Sequence, residues 1–200
     1  SGSKEFTGYI SNFIVVKGTA VYSSNFTPST TPLTAITNTK LLTTQRSTSL
    51  SVASGSTIFD GTDDYLTVAS SSNLAFGTGD FTIEGWIYFT DTSLEGGSNR
   101  RIFALDDGGN AVDNLQILVD NGGYRTNGDV FLYSNSIQGY LDTDIRSAWH
   151  HIAITRASGT LRFFLDGVQK YSASNTQNYS PNSGSPTPVI GSRGDKADYN

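Results

Sequence analysis

Apolar and polar residues alternate along most of this chain, and no window of about 12 residues or more carries a 3.6-residue apolar stripe. The alternation predicts strands over residues 6–17, 39–44, 57–60, 63–68, 81–89, 101–106, 113–120, 129–134, 149–156, 160–166, 168–173 and 187–192, with helices rare and short. Segment 81–89 is the clearest. Phe81, Ile83, Ile87 and Phe89 fall on one face, and Thr82, Glu84, Trp86 and Tyr88 on the other. The first face is expected to enter a core, the second to present aromatic rings with polar handles. Ala157-Ser158-Gly159 reads as the turn between two strands, and Asp166-Gly167 as a two-residue hairpin turn in which both positions tolerate positive φ. Many short strands with regular turns predict an all-β fold, two antiparallel sheets packed as a jelly-roll sandwich. Residues 27–38, with Pro28 and Pro32, and the Ser-, Asn- and Pro-rich residues 174–188 are long for connections. Such length points to a surface loop with a job or to a tolerated insertion.

Composition narrows the partners. The 200 residues suit one large β domain spanning 1–200, with no internal repeat; Ser1-Gly2-Ser3 reads as a cloning scar and residues 1–5 are expected to be disordered. Aromatic residues make up 12% and supply core volume, whereas 16% charged residues leave the surface polar but weakly charged. A net charge of -5 provides no basic footprint for phosphate contacts, which argues against a nucleic-acid partner and suits cations or neutral sugars better. The absence of cysteine rules out disulfides and thiolate metal sites, and leaves the compartment open. No apolar run approaches the roughly 18–20 residues of a membrane span, so no membrane insertion is expected.

The run Phe59-Asp60-Gly61-Thr62-Asp63-Asp64-Tyr65-Leu66, the segment 76–89, then Trp149-His150-His151-Ile152-Ala153 and Leu161-Arg162-Phe163-Phe164-Leu165-Asp166-Gly167 together resemble the concanavalin A-like lectin/glucanase superfamily, in its laminin G and pentraxin branch. More narrowly, residues 15–22, 32–42 and 59–66 resemble domains of structural and tail proteins of marine bacteriophages. In those domains a strand like 6–13 follows one like 189–192, but here it precedes everything. The order reads as a circular permutation, or as a unit cut from a repeat array. It predicts that the segment from Phe6 fills the sandwich beside Val189–Ser192; two partial domains are the alternative.

The resemblance implies binding rather than catalysis. Glycosidases of this superfamily carry paired carboxylates at alternate positions of one strand, whereas 81–89 offers Glu84 alone, so no enzyme is expected. His150 and His151, the only histidines, are adjacent in a strand and face opposite sides, so they cannot share a metal there. In pentraxins an Asp-Asn pair opening a strand and an acidic loop after a later strand bind calcium, and through it the ligand. Asp113-Asn114 resembles the first element and Val189-Ile190-Gly191-Ser192-Arg193-Gly194-Asp195 the second, though with fewer acids. Asp113, Asn114 and Asp195 are therefore candidates for one calcium ion, which wants about six to eight oxygens. Asp60, Asp63 and Asp64 read more simply as turn residues.

Sugar recognition pairs flat aromatic faces with hydrogen-bonding groups, which makes Trp86, Tyr88, Tyr124, Tyr133 and Tyr140 candidates, with Asn114 on a rim formed by loops 106–114 and 120–127. The implied function is a carbohydrate-binding or adhesion module of a virion or extracellular surface protein. The alternative is a structural decoration or spacer domain packed among neighbouring copies in a virion, and a glycoside hydrolase is the third reading.

Overall fold

The computed structural model describes residues 5–44, 55–91, 99–106, 115–120, 125, 127–180 and 187–192. Strands run in chain order as β1 Thr7–Lys17, β2 Thr39–Thr43, β3 Thr57–Asp60, β4 Leu66–Thr67, β5 Phe81–Phe89, β6 Arg100–Asp106, β7 Gln116–Val119, β8 Val130–Ser134, β9 Ser136–Tyr140, β10 Trp149–Ala157, β11 Thr160–Leu165, β12 Val168–Ser174 and β13 Thr187–Ile190. The helix among the described residues is the single 3-10 turn Ser72–Leu74. One sheet, A, has the order β12-β11-β10-β5-β1-β2, and β3 shares with β2 the outer edge of β1. The other, B, has the order β4-β13-β6-β7-β8-β9. All ladder pairs are antiparallel, which makes the all-β two-sheet sandwich expected from alternation.

Two elements depart from the sequence expectation. Strand β9 was not anticipated, because Ser136-Ile137-Gln138-Gly139-Tyr140 has no apolar alternation and gains its place by pairing with β8. The segment 63–68 keeps only Leu66–Thr67 as strand. Its first residues are held in a turn, where Asp60 Oδ1 accepts from Thr62 N–H at 2.8 Å and Asp64 Oδ2 from Asp60 N–H at 3.0 Å. The Asp166-Gly167 turn is as read: both residues have positive φ, 51° and 78°.

Strand β1 is an interior strand of sheet A, between β5 and the β2/β3 edge. Phe6 N–H donates to Gly191 O at 2.7 Å, so the approach to β1 touches the end of β13 although the two strands lie in different sheets. Phe6 and Ile10 face the core at even positions, Phe13 and Val15 at odd ones. The parity changes at Asn12, whose φ of 50° is left-handed and where the β1–β5 register slips between Ser11 and Ile14. A one-residue bulge does this, and Asn tolerates that backbone better than most residues.

Between the sheets lie Phe6, Phe13, Phe59, Phe81, Phe89, Phe103 and Phe163, all essentially inaccessible. Phe13 meets Phe103 across the layers with centroids 5.4 Å apart. Each such ring contributes roughly 1.5–3 kcal/mol relative to an exposed one. The alternation of β5 is met on the core side, since Phe81, Ile83, Ile87 and Phe89 are buried. The opposite face is only partly open, and the reason defines the site.

Candidate functional site

On the outer face of sheet A the ladder aligns residues in rows across β1, β5 and β10. Tyr9, Tyr88 and Trp149 form one row, and Ser11, Trp86 and His151 the next. Ile14, Glu84 and Ala153 follow, then Val16, Thr82 and Thr155. The last two rows are buried, with Thr82, Ala153 and Thr155 at 0% exposure and Glu84 at 4%. The first contains the exposed rings of Tyr9 and Trp149, and the second the half-buried Trp86.

What covers the buried rows is the irregular connection of residues 18–38. Val21 N–H donates to Thr82 Oγ1 at 2.8 Å, Thr155 Oγ1–H to Tyr22 O at 2.9 Å, and the rings of Tyr22 and Phe26 stack at 3.5 Å. The segment then crosses the sheet as a bar. Phe26 N–H donates to Gly167 O at 2.9 Å in the β11–β12 turn, Trp86 Nε1–H to Ser29 O at 2.8 Å over β5, and Asn12 Nδ2–H to Thr31 O at 3.0 Å over β1. The bulge at Asn12 thus has a second consequence: it supplies the anchor that ends the bar. Phe26 also packs on Phe164, centroids 5.4 Å apart, so the bar is fixed by apolar contact as well as by hydrogen bonds.

Beneath the bar, one carboxylate organises a buried polar group. Glu84 Oε2 accepts from Tyr22 O–H at 2.9 Å and faces His151 Nε2 at 3.1 Å. The second histidine nitrogen, Nδ1, is buried without a hydrogen-bond partner, its ring wedged edge-on between Phe26 and Trp86 at 5.6 and 5.4 Å. That arrangement suits a neutral imidazole donating from Nε2, because a second N–H would be stranded among rings. Burial, and then the neighbouring Glu84 carboxylate, push the Tyr22 phenol well above its usual range. His150 points elsewhere, with Nδ1 2.8 Å from Asp166 Oδ2.

On the open side of the bar, Tyr9, Tyr88 and Trp149 form a cluster with centroids 5.7 to 6.3 Å apart. Trp149 is 42% and Tyr9 36% exposed. Between this cluster and the bar lies a cleft of about 450 Å³, lined by Ser11, Asn12, Thr30, Pro32, Gly55, Ser56, Trp86 and Trp149. Among the described residues, none that lines it carries a formal charge. The cleft offers two indoles, a proline face and several hydroxyls, a mixture that suits C–H faces and polar rims on the same ligand.

The structure therefore brings together Trp86 and Tyr88 of the residues singled out from sequence, and separates Tyr133 and Tyr140 from them. Those two belong to β8 and β9 in sheet B, and Tyr140 carries the Arg125 guanidinium over its ring at 3.5 Å. Asp113, Asn114, Tyr124 and Asp195 lie outside the described residues, as do residues 1–4. Asp60, Asp63 and Asp64 bring carboxylate oxygens within 4.8 Å of one another. This set is the right chemistry for calcium but too small for its usual shell of about six to eight oxygens, and two of its carboxylates already accept turn N–H groups. Trp149, Ser11, Asn12, Thr30, Pro32 and Ser56 were not among the sequence candidates. For Trp149 a signal existed: it shares the alternating face of His151, and pairing β10 with β5 brings it beside Tyr88.

The two-sheet sandwich belongs to a known class. The sequence matches the model of the concanavalin A-like lectin/glucanases superfamily, laminin G type, over residues 60–200, and the chain belongs to that family. Strands β1 and β2 lie before the matched stretch, yet they complete sheet A. No curated protein matches the sequence. Among solved structures the chain matches the kappa-carrageenase of Pseudoalteromonas carrageenovora, solved in complex with an oligotetrasaccharide of kappa-carrageenan, at 9% identity and a TM-score of 0.22. The match covers 95% of this chain and 51% of that enzyme, so the chain spans about half its length, and likeness at this level carries no argument.

Proposed function

We propose that this chain is a non-catalytic carbohydrate-binding module of a virion or extracellular surface protein. The observation that carries the reading is the open half of the sheet A outer face, where Tyr9, Tyr88 and Trp149 border a cleft whose described lining residues are all uncharged. Sugars present apolar C–H faces and hydroxyls together, and such a surface meets both. The non-catalytic part is supported by Glu84, the single carboxylate of β5, which is buried beneath the bar and bound by Tyr22 and His151. Glycoside hydrolysis uses two carboxyl groups flanking the bond, and among the described residues none lines the cleft. Glycan-array screening of the protein, with and without calcium, tests the reading. Binding to at least one glycan class is expected, and an array blank at high protein concentration refutes it.

A calcium ion at the rim, held by Asp113, Asn114 and Asp195, is carried by the pentraxin resemblance and tested by calorimetric titration of calcium. The spacer reading draws on the resemblance to phage tail domains and on edge strand β3, whose Ile58 is 59% exposed and suits packing against a neighbouring copy. Sedimentation analysis separates the two, since a spacer would self-associate and ignore glycans. Circular permutation is supported by the interior place of β1 and by the Phe6 to Gly191 hydrogen bond.

A further inference from the structure

Building on the carbohydrate-binding reading, we propose that the cleft between the bar and Trp149 takes the terminal part of an uncharged glycan chain and does so without a metal ion. The cleft is walled on one side by Thr30 and Pro32 of the bar and on the other by Trp149, and Gly55 and Ser56 stand at its β1 edge. The bar is fastened at the β11–β12 turn, over Trp86 and at Asn12, so a ligand cannot continue along the strands past Trp86. With about 450 Å³ the cleft is at the small end of ligand sites and holds about two sugar rings, not a long segment of polymer.

The charge of the ligand follows from the lining. A sulfate or carboxylate brought here would lose water and meet no cation among the described lining residues, all of which are neutral. Hydroxyls fare better. Ser11 Oγ–H donates to Gly55 O, which leaves the Ser11 oxygen free to accept, and Ser56 and Thr30 add hydroxyls that can do either. The Trp86 N–H is already committed to Ser29 O, so Trp86 contributes its ring alone, whereas Trp149 stands half out of the surface as a stacking face. Among the described residues no carboxylate lines the cleft, and their hydroxyls and carbonyls alone are a poor match to the carboxylate-rich shell calcium prefers.

The chain has two tryptophans, Trp86 and Trp149, and both line this cleft, so intrinsic fluorescence reports on it directly. The experiment titrates the protein with linear neutral gluco-, manno-, galacto- and xylo-oligosaccharides from mono- to hexasaccharide, with cyclic glucans, with sulfated carrageenan oligosaccharides and with a proline-rich peptide, in EDTA and in calcium. Neutral linear sugars are expected to shift the emission in EDTA, with affinity levelling off near the disaccharide and no response to cyclic glucans. Trp149→Ala and Thr30→Phe, which fills the cleft from an exposed loop, should each weaken binding about tenfold or more; Thr30→Phe should leave the melting temperature unaltered, whereas Trp149→Ala also loses the Tyr9 and Tyr88 contacts and should lower it modestly. Glycan binding that requires calcium, favours sulfated sugars, grows steadily with chain length or leaves the fluorescence unmoved overturns this proposal and leaves the carbohydrate-binding reading standing. Cleft occupancy by the proline-rich peptide alone, or no binding to any sugar here or on the array, overturns both.

Discussion

Replacing Arg156 by methionine should cost this fold about 4 kcal/mol. The guanidinium is completely buried at the end of β10, on the core side. Its Nε donates to Gly79 O at 2.9 Å, Nη1 to Gln177 O at 2.6 Å and Asn175 Oδ1 at 3.1 Å, and Nη2 to Gly77 O at 2.7 Å and Gly79 O at 2.6 Å. Phe81 and Tyr179 flank it at 5.1 and 4.7 Å. One side chain thus gathers the loop before β5 and the segment after β12, neither of which has a ladder to hold it. Methionine fills much of the volume but takes the side-chain donor from Gly79 O and Gln177 O, while Gly77 O keeps Tyr179 N–H and Asn175 Oδ1 keeps Tyr179 O–H; each acceptor stranded away from water costs roughly 1–3 kcal/mol. Against this stands the relief of a buried cation, which burial already holds below the usual arginine range. The balance is about 3–5 kcal/mol, or roughly 6–20 °C of melting temperature for a chain of this size. Arg156→Lys keeps the charge but not the planar fork and should fall between wild type and Arg156→Met. Urea unfolding followed by near-ultraviolet dichroism measures both. A loss under about 1 kcal/mol for Arg156→Met would mean that the loops are held by other contacts and that the reasoning is wrong.

Three further outcomes follow from the same contacts. Gly167→Ala puts a methyl group into the Phe26 carbonyl oxygen at a φ of 78°, so it should lose about 2 kcal/mol and speed amide exchange across residues 18–38; exchange unchanged there would count against the anchoring role of the turn. Alkaline pH should destabilise the protein, because burial holds Tyr179 up to about 12 and raises Tyr22 as well, while the unfolded chain releases these protons near 10. The folded state then binds more protons, so stability is intact below about pH 10 and falls between about 10 and 12, on the order of 3 kcal/mol for Tyr179 alone. A urea midpoint that stays level through this window, or a Tyr179→Phe variant that falls as steeply as wild type, contradicts the assignment. Glu84→Ala strands the Tyr22 hydroxyl and the His151 N–H and should cost about 2–4 kcal/mol, whereas Glu84→Gln should keep the fold and the glycan binding. Hydrolysis of β-glucans by the wild type, abolished in Glu84→Gln, would overturn the non-catalytic reading.

The sandwich was legible because strand alternation is local: Phe81, Ile83, Ile87 and Phe89 declare a core face within nine residues. The Asp166-Gly167 turn and the Asp60 turn were legible for the same reason, since backbone conformation there depends on the residues themselves. The candidate site was legible only in part. Trp86 and Tyr88 could be placed on an outer face, but their neighbour Trp149 joins them through β5–β10 pairing between strands far apart in the chain. Tyr133 and Tyr140 looked equivalent by composition and went to the other sheet. Strand β9 escaped because pairing, not periodicity, makes it a strand.

What the sequence determined by itself was the layered β architecture, through side-chain alternation and turn chemistry that act over a few residues. What tertiary structure decided was which half of the outer face stays open. The bar over Glu84 and His151 is held by Tyr22 to Glu84, Ser29 to Trp86 and Asn12 to Thr31, contacts that link residues far apart in the chain and carry no periodic signature. A polar, proline-containing connection therefore looked like a loop at the surface. It became the wall of a cleft because burying Tyr22 and Phe26 against the sheet outweighs leaving them in water, and the rings it did not cover became the site.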